Sequence, residues 1–147
     1  MQKISDLEQN VIDNLRQVIM VLKKRLATQP KFANLSHSQL NVLIYLEKHT
    51  TATVTELAKN EGISVQSMGV NIQFLKDKHL LVFKKDMQDK RKTILSLSEQ
   101  CGRDVRLFKQ QSDLWFAEQI NTKLSDAEQE QLLIGVRLLA KTFNDLK

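Results

Sequence analysis

The sequence predicts a mainly α-helical fold: a winged helix-turn-helix lobe with a two-stranded β wing, flanked by long helices at both ends. Three observations lead there. Only four Gly and one Pro occur in 147 residues, which leaves few chain breakers and favours long helices. Residues 54–75 carry two short apolar-periodic segments joined through Gly62. Beyond them the apolar period drops to two at 81–85 and 93–97, around the basic turn Lys84-Lys85-Asp86-Met87-Gln88-Asp89-Lys90-Arg91-Lys92.

Helix starts are marked by four capping boxes, Ser5…Glu8, Ser36…Gln39, Thr53…Glu56 and Ser125…Glu128. Each pairs a hydroxyl with a carboxylate or amide three residues on, which satisfies two orphan backbone donors. The first helix is expected over about 5–28. Ile4, Leu7, Val11, Leu15, Val18, Leu22 and Leu26 form one stripe, Ile12 and Ile19 widen it, and Pro30 ends it. A second helix over about 36–49 turns Leu40, Leu43, Ile44 and Leu46 inward. After Ser98 the helical period returns, with Val105, Phe108, Trp115, Phe116 and Ile120 over about 99–121. A last helix over about 126–146 carries Leu132, Leu133, Ile134, Val136, Leu138, Leu139, Phe143 and Leu146. It is apolar over too much of its circumference for a surface helix of a small protein, so burial against a second copy is expected. The chain reads as a single domain, 1–147, in which 1–30 and 99–147 are dimerisation helices and 35–98 the winged lobe.

Within that lobe, Val54 to Glu61 reads as the first helix of the motif, with small Ala58 where two helices cross closely. Gly62 supplies a left-handed turn, Ile63 plugs the core and Ser64 caps the next helix. Met68, Ile72 and Leu75 face inward. The opposite face presents Ser64, Gln66, Ser67, Gly69, Val70 and Gln73, with Asn71 at its margin. Gln and Asn suit adenine edges, Ser a base or a phosphate, and Val70 a thymine methyl. Gly69 reads equally as a helix weakener and as a point of close backbone approach to DNA.

The net charge of +5 is focused on the wing region. Lys76, Lys78, Lys84, Lys85, Lys90, Arg91 and Lys92 against Asp77, Asp86 and Asp89 leave +4 of it in residues 76–92, the footprint of a polyanion partner. Asp89 and Arg91 lie two apart on an extended segment, so the carboxylate can aim the guanidinium fork into a narrow minor groove. Lys84, Lys85, Lys90 and Lys92 are expected at phosphates.

These residues resemble the MarR-type winged helix-turn-helix transcription regulators. The resemblance rests on Leu35-Ser36-His37-Ser38-Gln39-Leu40, Glu56-Leu57-Ala58, Gly62-Ile63-Ser64, Leu75 through Leu81, and Asp89-Lys90-Arg91 through Leu97-Ser98-Glu99-Gln100-Cys101-Gly102-Arg103. The last stretch is the most specific, and helix order and length match over essentially the whole chain. Two departures stand out: Val70 lies where many members carry a basic residue, and His79 where a Gly commonly precedes the strand. The resemblance implies a homodimer on the palindromic operator of double-stranded DNA, usually a repressor released by a small aromatic or anionic effector. It implies an effector cleft between the dimer helices and the DNA-binding lobe, for which Arg16, His37, Tyr45, Phe108 and Trp115 are the candidate residues.

Other chemistry finds little footing. His37, His49 and His79 are scattered, no Cys/His/Asp set has metal-ligand spacing, and no phosphate loop or nucleophile elbow is present, so neither an enzyme nor a cofactor is expected. No apolar run approaches the roughly 20 residues of a membrane span, and no secretion signal appears. The single cysteine, Cys101, has no internal disulfide partner, which fits the cytoplasm. It lies just inside a helix start, where the dipole favours a thiolate, but a buried structural role is the expectation. Two other readings of the basic lobe stay open: a protein-interaction module for an acidic partner, and a non-specific DNA-compacting protein.

Overall fold

The computed structural model describes residues 3–26 and 31–144, so the Leu26 side chain, Pro30 and Leu146 lie outside the described residues. Six helices and two strands follow in the order α1 (Asp6–Leu26), α2 (His37–His49), α3 (Val54–Glu61), α4 (Val65–Asp77), β1 (Leu81–Lys85), β2 (Thr93–Leu97), α5 (Glu99–Lys123) and α6 (Asp126–Phe143). The chain divides into two compact units, residues 1–36 and 37–147.

The first unit is dominated by α1. Ser5 and Glu8 close the capping box at its start: the Ser5 N–H donates to Glu8 Oε2 (2.8 Å) and the Glu8 N–H to Ser5 Oγ (3.2 Å). The expected apolar stripe is present in sequence, yet Leu7, Val11, Val18 and Ile19 are exposed. Only Ile12, Leu15 and Leu22 are half-buried.

In the second unit the core gathers around α2. This helix packs against α3, α4, α5 and β2, and it buries Val42, Leu43 and Leu46 almost completely. Around them close Leu57 and Ala58 of α3, Met68, Ile72 and Leu75 of α4, Leu81 and Leu95 of the wing, and Cys101, Val105 and Phe108 of α5. Burying each such leucine contributes about 1.5–3 kcal/mol. Of the predicted inward set on α2, Leu40 and Ile44 are half-buried, while Val42 takes a core place that the helical period did not assign.

Local signals explain how α3 and α4 begin and end. Thr53 and Glu56 close a second capping box, and Gly62 ends α3 at φ 67°, ψ 29°. Its N–H donates to the Lys59 carbonyl (3.3 Å) and the Ile63 N–H to the Ala58 carbonyl (3.1 Å), which is the Schellman arrangement. α4 ends the same way: the His79 N–H donates to Lys76 (2.8 Å) and the Leu80 N–H to Leu75 (3.1 Å). Here the left-handed residue is His79, at φ 57°, which explains why a glycine suits this position. The histidine pays the β-carbon penalty without changing the fold.

β1 and β2 pair antiparallel from Leu81↔Leu97 to Lys85↔Thr93. The alternation puts Leu81 and Leu95 in the core and leaves Val82 and Lys84 exposed. Ala52 adds a one-residue bridge to Leu95, with N–H···O distances of 3.0 and 2.8 Å. It ties the α2–α3 connection to the inner wing strand, a contact too short to leave a periodic signal.

α5 starts at a Ser98 cap and sends only its first half, as far as Phe108, into the core. Beyond that point its apolar residues are half-buried or exposed, and α6 has no buried residue at all. Leu132, Leu133, Ile134, Val136, Leu138 and Phe143 are all exposed, although a closed Ser125–Glu128 capping box starts the helix properly.

Candidate nucleic-acid interface

The recognition helix α4 begins at Ser64, whose Oγ accepts from the Ser67 N–H (3.1 Å) and donates to Ser67 Oγ (2.9 Å). Both hydroxyls are therefore held at the exposed helix start. Gln66, Ser67 and Val70 are exposed, Val70 to 69%, and Gln66 has no side-chain partner among the described residues. Val65, which the 68/72/75 stripe would turn inward, is also exposed, and the stripe is buried only from Met68 onward. A β-carbon built at Gly69 meets nothing within 4 Å, so packing inside the chain does not demand glycine there.

Two of the amides expected to read bases are already engaged. Asn71 Nδ2 donates to Ser38 Oγ (3.1 Å), and Asn71 Oδ1 accepts from Gln39 Nε2 (3.4 Å). The side chain thus clasps the middle of α4 to the start of α2, half-buried, and orients the recognition helix. Gln73 Nε2 donates to Asp77 Oδ1 one turn on (2.8 Å). The Gln73–Asp77 pair is local, at i,i+4 spacing, whereas the Asn71 clasp depends on two helices meeting 32–33 residues apart.

The wing tip is organised by its own carboxylates. Asp86 Oδ1 accepts from the Gln88 N–H (2.7 Å) and the Asp89 N–H (3.0 Å). Asp89 Oδ1 accepts from both the Arg91 N–H (3.1 Å) and Arg91 Nε (3.2 Å). Two backbone bonds, Asp86 N–H to Lys92 O (3.1 Å) and Lys92 N–H to Asp89 O (2.9 Å), close the loop. The N–H groups of Asp89 and Gln88, with the charge of Lys92, hold the Asp86 carboxyl below its ordinary range. The ionised form that builds the tip is favoured above that lowered value and is lost only as pH falls through it.

The Arg91 side chain is 92% exposed while Asp89 is only 33% exposed, so the fork is aimed outward from an anchored base. Lys84, Lys85, Lys90 and Lys92 are exposed around it. At the foot of the wing Lys76 Nζ sits 4.7 Å from the Phe83 ring centroid and Lys78 Nζ 5.7 Å from that of Phe74. Lys84, Lys85, Lys90, Arg91 and Lys92 thus stand exposed on the wing, with Lys76 and Lys78 at the end of α4 and the exposed start of α4 in the same unit.

The five effector candidates lie on α1 (Arg16), α2 (His37 and Tyr45) and α5 (Phe108 and Trp115). Arg16 lies on α1, exposed and 3.9 Å from Asp13; His37 is exposed at the start of α2. Tyr45 stacks on His49 (4.2 Å), Phe108 is in the core, and Trp115 meets Phe116 edge-on (5.0 Å). An open groove of about 400 Å³ between α2 and α5 is lined by Glu47, Arg106, Lys109, Gln110, Asp113, Leu114 and Ala117. Lys109 Nζ donates to Glu47 Oε2 (2.7 Å) across it.

Among the described residues no His/Cys/Asp/Glu group is placed to hold a metal ion, and no helix is long and apolar enough to cross a membrane. Cys101 is buried, and its thiol is pushed up to about 11, first by burial and second by the Asp104 carboxylate. Burial therefore outweighs the helix dipole that the sequence offered as the route to a thiolate. At pH 8 native Cys101 is expected to stay unreacted with an aromatic disulfide reagent, and to react stoichiometrically once the chain is unfolded. Its contribution to stability is complete below the ordinary thiol pKa and is lost as pH rises toward about 11.

The sequence matches no protein-family model and no curated protein. Solved structures are another matter. The chain superposes on FabT of Streptococcus pneumoniae, solved in complex with DNA, with a TM-score of 0.76 at 18% identity, over 96% of this chain and 97% of that one. MepR, a transcription regulator of the Staphylococcus aureus multidrug efflux pump MepA, gives 0.72 at 21% identity, over 90% and 96%. The transcriptional regulator Tm0710 of Thermotoga maritima gives 0.66 at 17%, over 93% and 96%. The chain has the fold of the MarR-type winged-helix regulators. The likeness extends over nearly the full length of both partners in each comparison.

Proposed function

We propose that this protein is a homodimeric, sequence-specific DNA-binding transcription regulator of the MarR type, acting as a repressor on a palindromic operator. The observation that carries the reading is the wing tip, where Asp89 anchors and aims a 92%-exposed Arg91 among four exposed lysines. In this reading Gln66, Ser67 and Val70 enter the major groove, with Ser64 at the helix start and Gly69 admitting close backbone approach. Asn71 serves chiefly to orient the helix. Arg91 enters the flanking minor groove, and Lys84, Lys85, Lys90 and Lys92 meet phosphates. Two copies joined through the exposed apolar face of α6 present half-sites about 34–36 Å apart. FabT, a relative in fold solved in complex with DNA, supports a DNA-binding role.

Release by a small aromatic or anionic effector completes the proposal. The groove between α2 and α5 offers Arg106 beside apolar Leu114 and Ala117, with Lys109 held by Glu47, a setting for the aromatic part of such a molecule. The deciding experiment compares binding to the DNA upstream of the protein's own gene with random DNA across a salt series. Tight binding to the upstream sequence alone, at two chains per site, supports the regulator. Equal binding to both sequences favours a compacting protein, and no binding to either at low salt favours a protein-interaction module.

A further inference from the structure

The wing carries one side chain that its charges do not explain. Met87 stands at the tip between Asp86 and Gln88 and is 87% exposed, more than any other large apolar residue described. Its position is not that of a floppy loop. The Asp86 carboxylate accepts from the N–H groups of both Gln88 and Asp89, so the backbone folds back beneath Met87 and leaves its side chain projecting. The second carboxylate, Asp89, holds Arg91 in the same tip. A pre-formed turn thus presents one long, unbranched apolar side chain and one guanidinium in a surround of lysines.

We infer that Met87 is an apolar contact of the wing, lying against the deoxyribose wall of the minor groove that Arg91 enters. The inference rests on the DNA-binding reading above and adds to it a residue that carries no charge. A finger bearing Lys84, Lys85, Lys90, Arg91 and Lys92 docks on a polyanion, and the surface this polyanion offers to a thioether chain is the sugar wall of its groove. Met suits such a wall because its three rotatable bonds and polarizable sulfur adapt to an irregular apolar surface. Holding the tip in shape beforehand removes part of the ordering cost of the contact. Exposure this complete also means that Met87 contributes nothing to the core.

Salt dependence separates this contact from the cationic ones. Anisotropy of the labelled upstream duplex, titrated with the full chain over a salt series, is read for wild type, Met87→Ala, Met87→Gln, Met87→Leu and Lys90→Ala. Met87→Ala and Met87→Gln are expected to weaken binding about 3- to 10-fold at every salt concentration, the size of a partly lost apolar burial. Their log–log slopes should run parallel to wild type, because no counterion is involved, and Met87→Leu should bind as wild type does. Lys90→Ala should instead lower the slope by about 0.9 per half-site, about 1.8 for the two copies on one duplex. Unchanged melting temperatures establish that the variants are folded. Wild-type affinity in Met87→Ala and Met87→Gln, or a loss that vanishes at high salt, overturns the contact while leaving the regulator intact. Failure of wild type to bind the duplex overturns the regulator itself.

Discussion

Charging the face of α6 with Ile134→Glu and Leu138→Glu together is expected to convert the proposed dimer to monomers and to lower its helix content. α6 runs 18 residues from Asp126 to Phe143 with no buried residue, and Ile134 and Leu138 are 58% and 59% exposed in the single chain. They lie four apart, on one face. A helix of this length is marginal in water without packing, and six exposed large apolar side chains are a cost unless something covers them. Each buried aliphatic side chain contributes about 1.5–3 kcal/mol, and placing two carboxylates in the same apolar contact costs more again. The dimer dissociation constant should rise by about a thousandfold or more. Sedimentation equilibrium measures it, with far-UV circular dichroism reading the helix. A double variant that remains a dimer at micromolar concentration would remove α6 from the interface.

Arg91→Ala is expected to weaken binding to the proposed operator by about 10- to 100-fold for each half-site, the size of one well-placed guanidinium contact of about 1–3 kcal/mol. The folded protein should hardly notice. The Arg91–Asp89 pair is an exposed ion pair, and such pairs contribute about 0–1 kcal/mol. Arg91→Lys keeps the charge but loses the planar fork, and should recover only part of the affinity. Asp89→Ala should fall between, since it leaves the guanidinium in place but removes the acceptor of both Arg91 N–H bonds. Electrophoretic mobility shifts on the upstream duplex, with melting temperatures alongside, read both halves. Equal affinity in wild type and Arg91→Ala would take the wing arginine out of recognition.

Much of this site was legible because its determinants are local. Asp89 and Arg91 meet across one intervening residue, Ser64 caps the helix it precedes, and Gly62 takes the left-handed turn expected of it. Asn71 shows where such reading stops. Its type and place on α4 suited a base contact, yet its amide is committed to Ser38 and Gln39 on another helix. The groove shows the same boundary: Glu47 of α2 and Arg106, Lys109 and Leu114 of α5 meet there across about sixty residues of chain, which no local spacing announces.

The sequence by itself determined the elements of this protein: where helices start, where the period switches to a ribbon, and where charge is concentrated. Those are decided within a few residues by capping, turn geometry and the spacing of apolar side chains. Only the tertiary structure decided which polar groups are still available. Packing α2 against α4 engaged Asn71, and burying the start of α5 raised the Cys101 thiol instead of lowering it. The Ala52–Leu95 bridge tied the wing to the loop before α3. Each of these depends on side chains or backbone groups brought together from distant parts of the chain, and their free energies are settled by burial and partnership rather than by residue type.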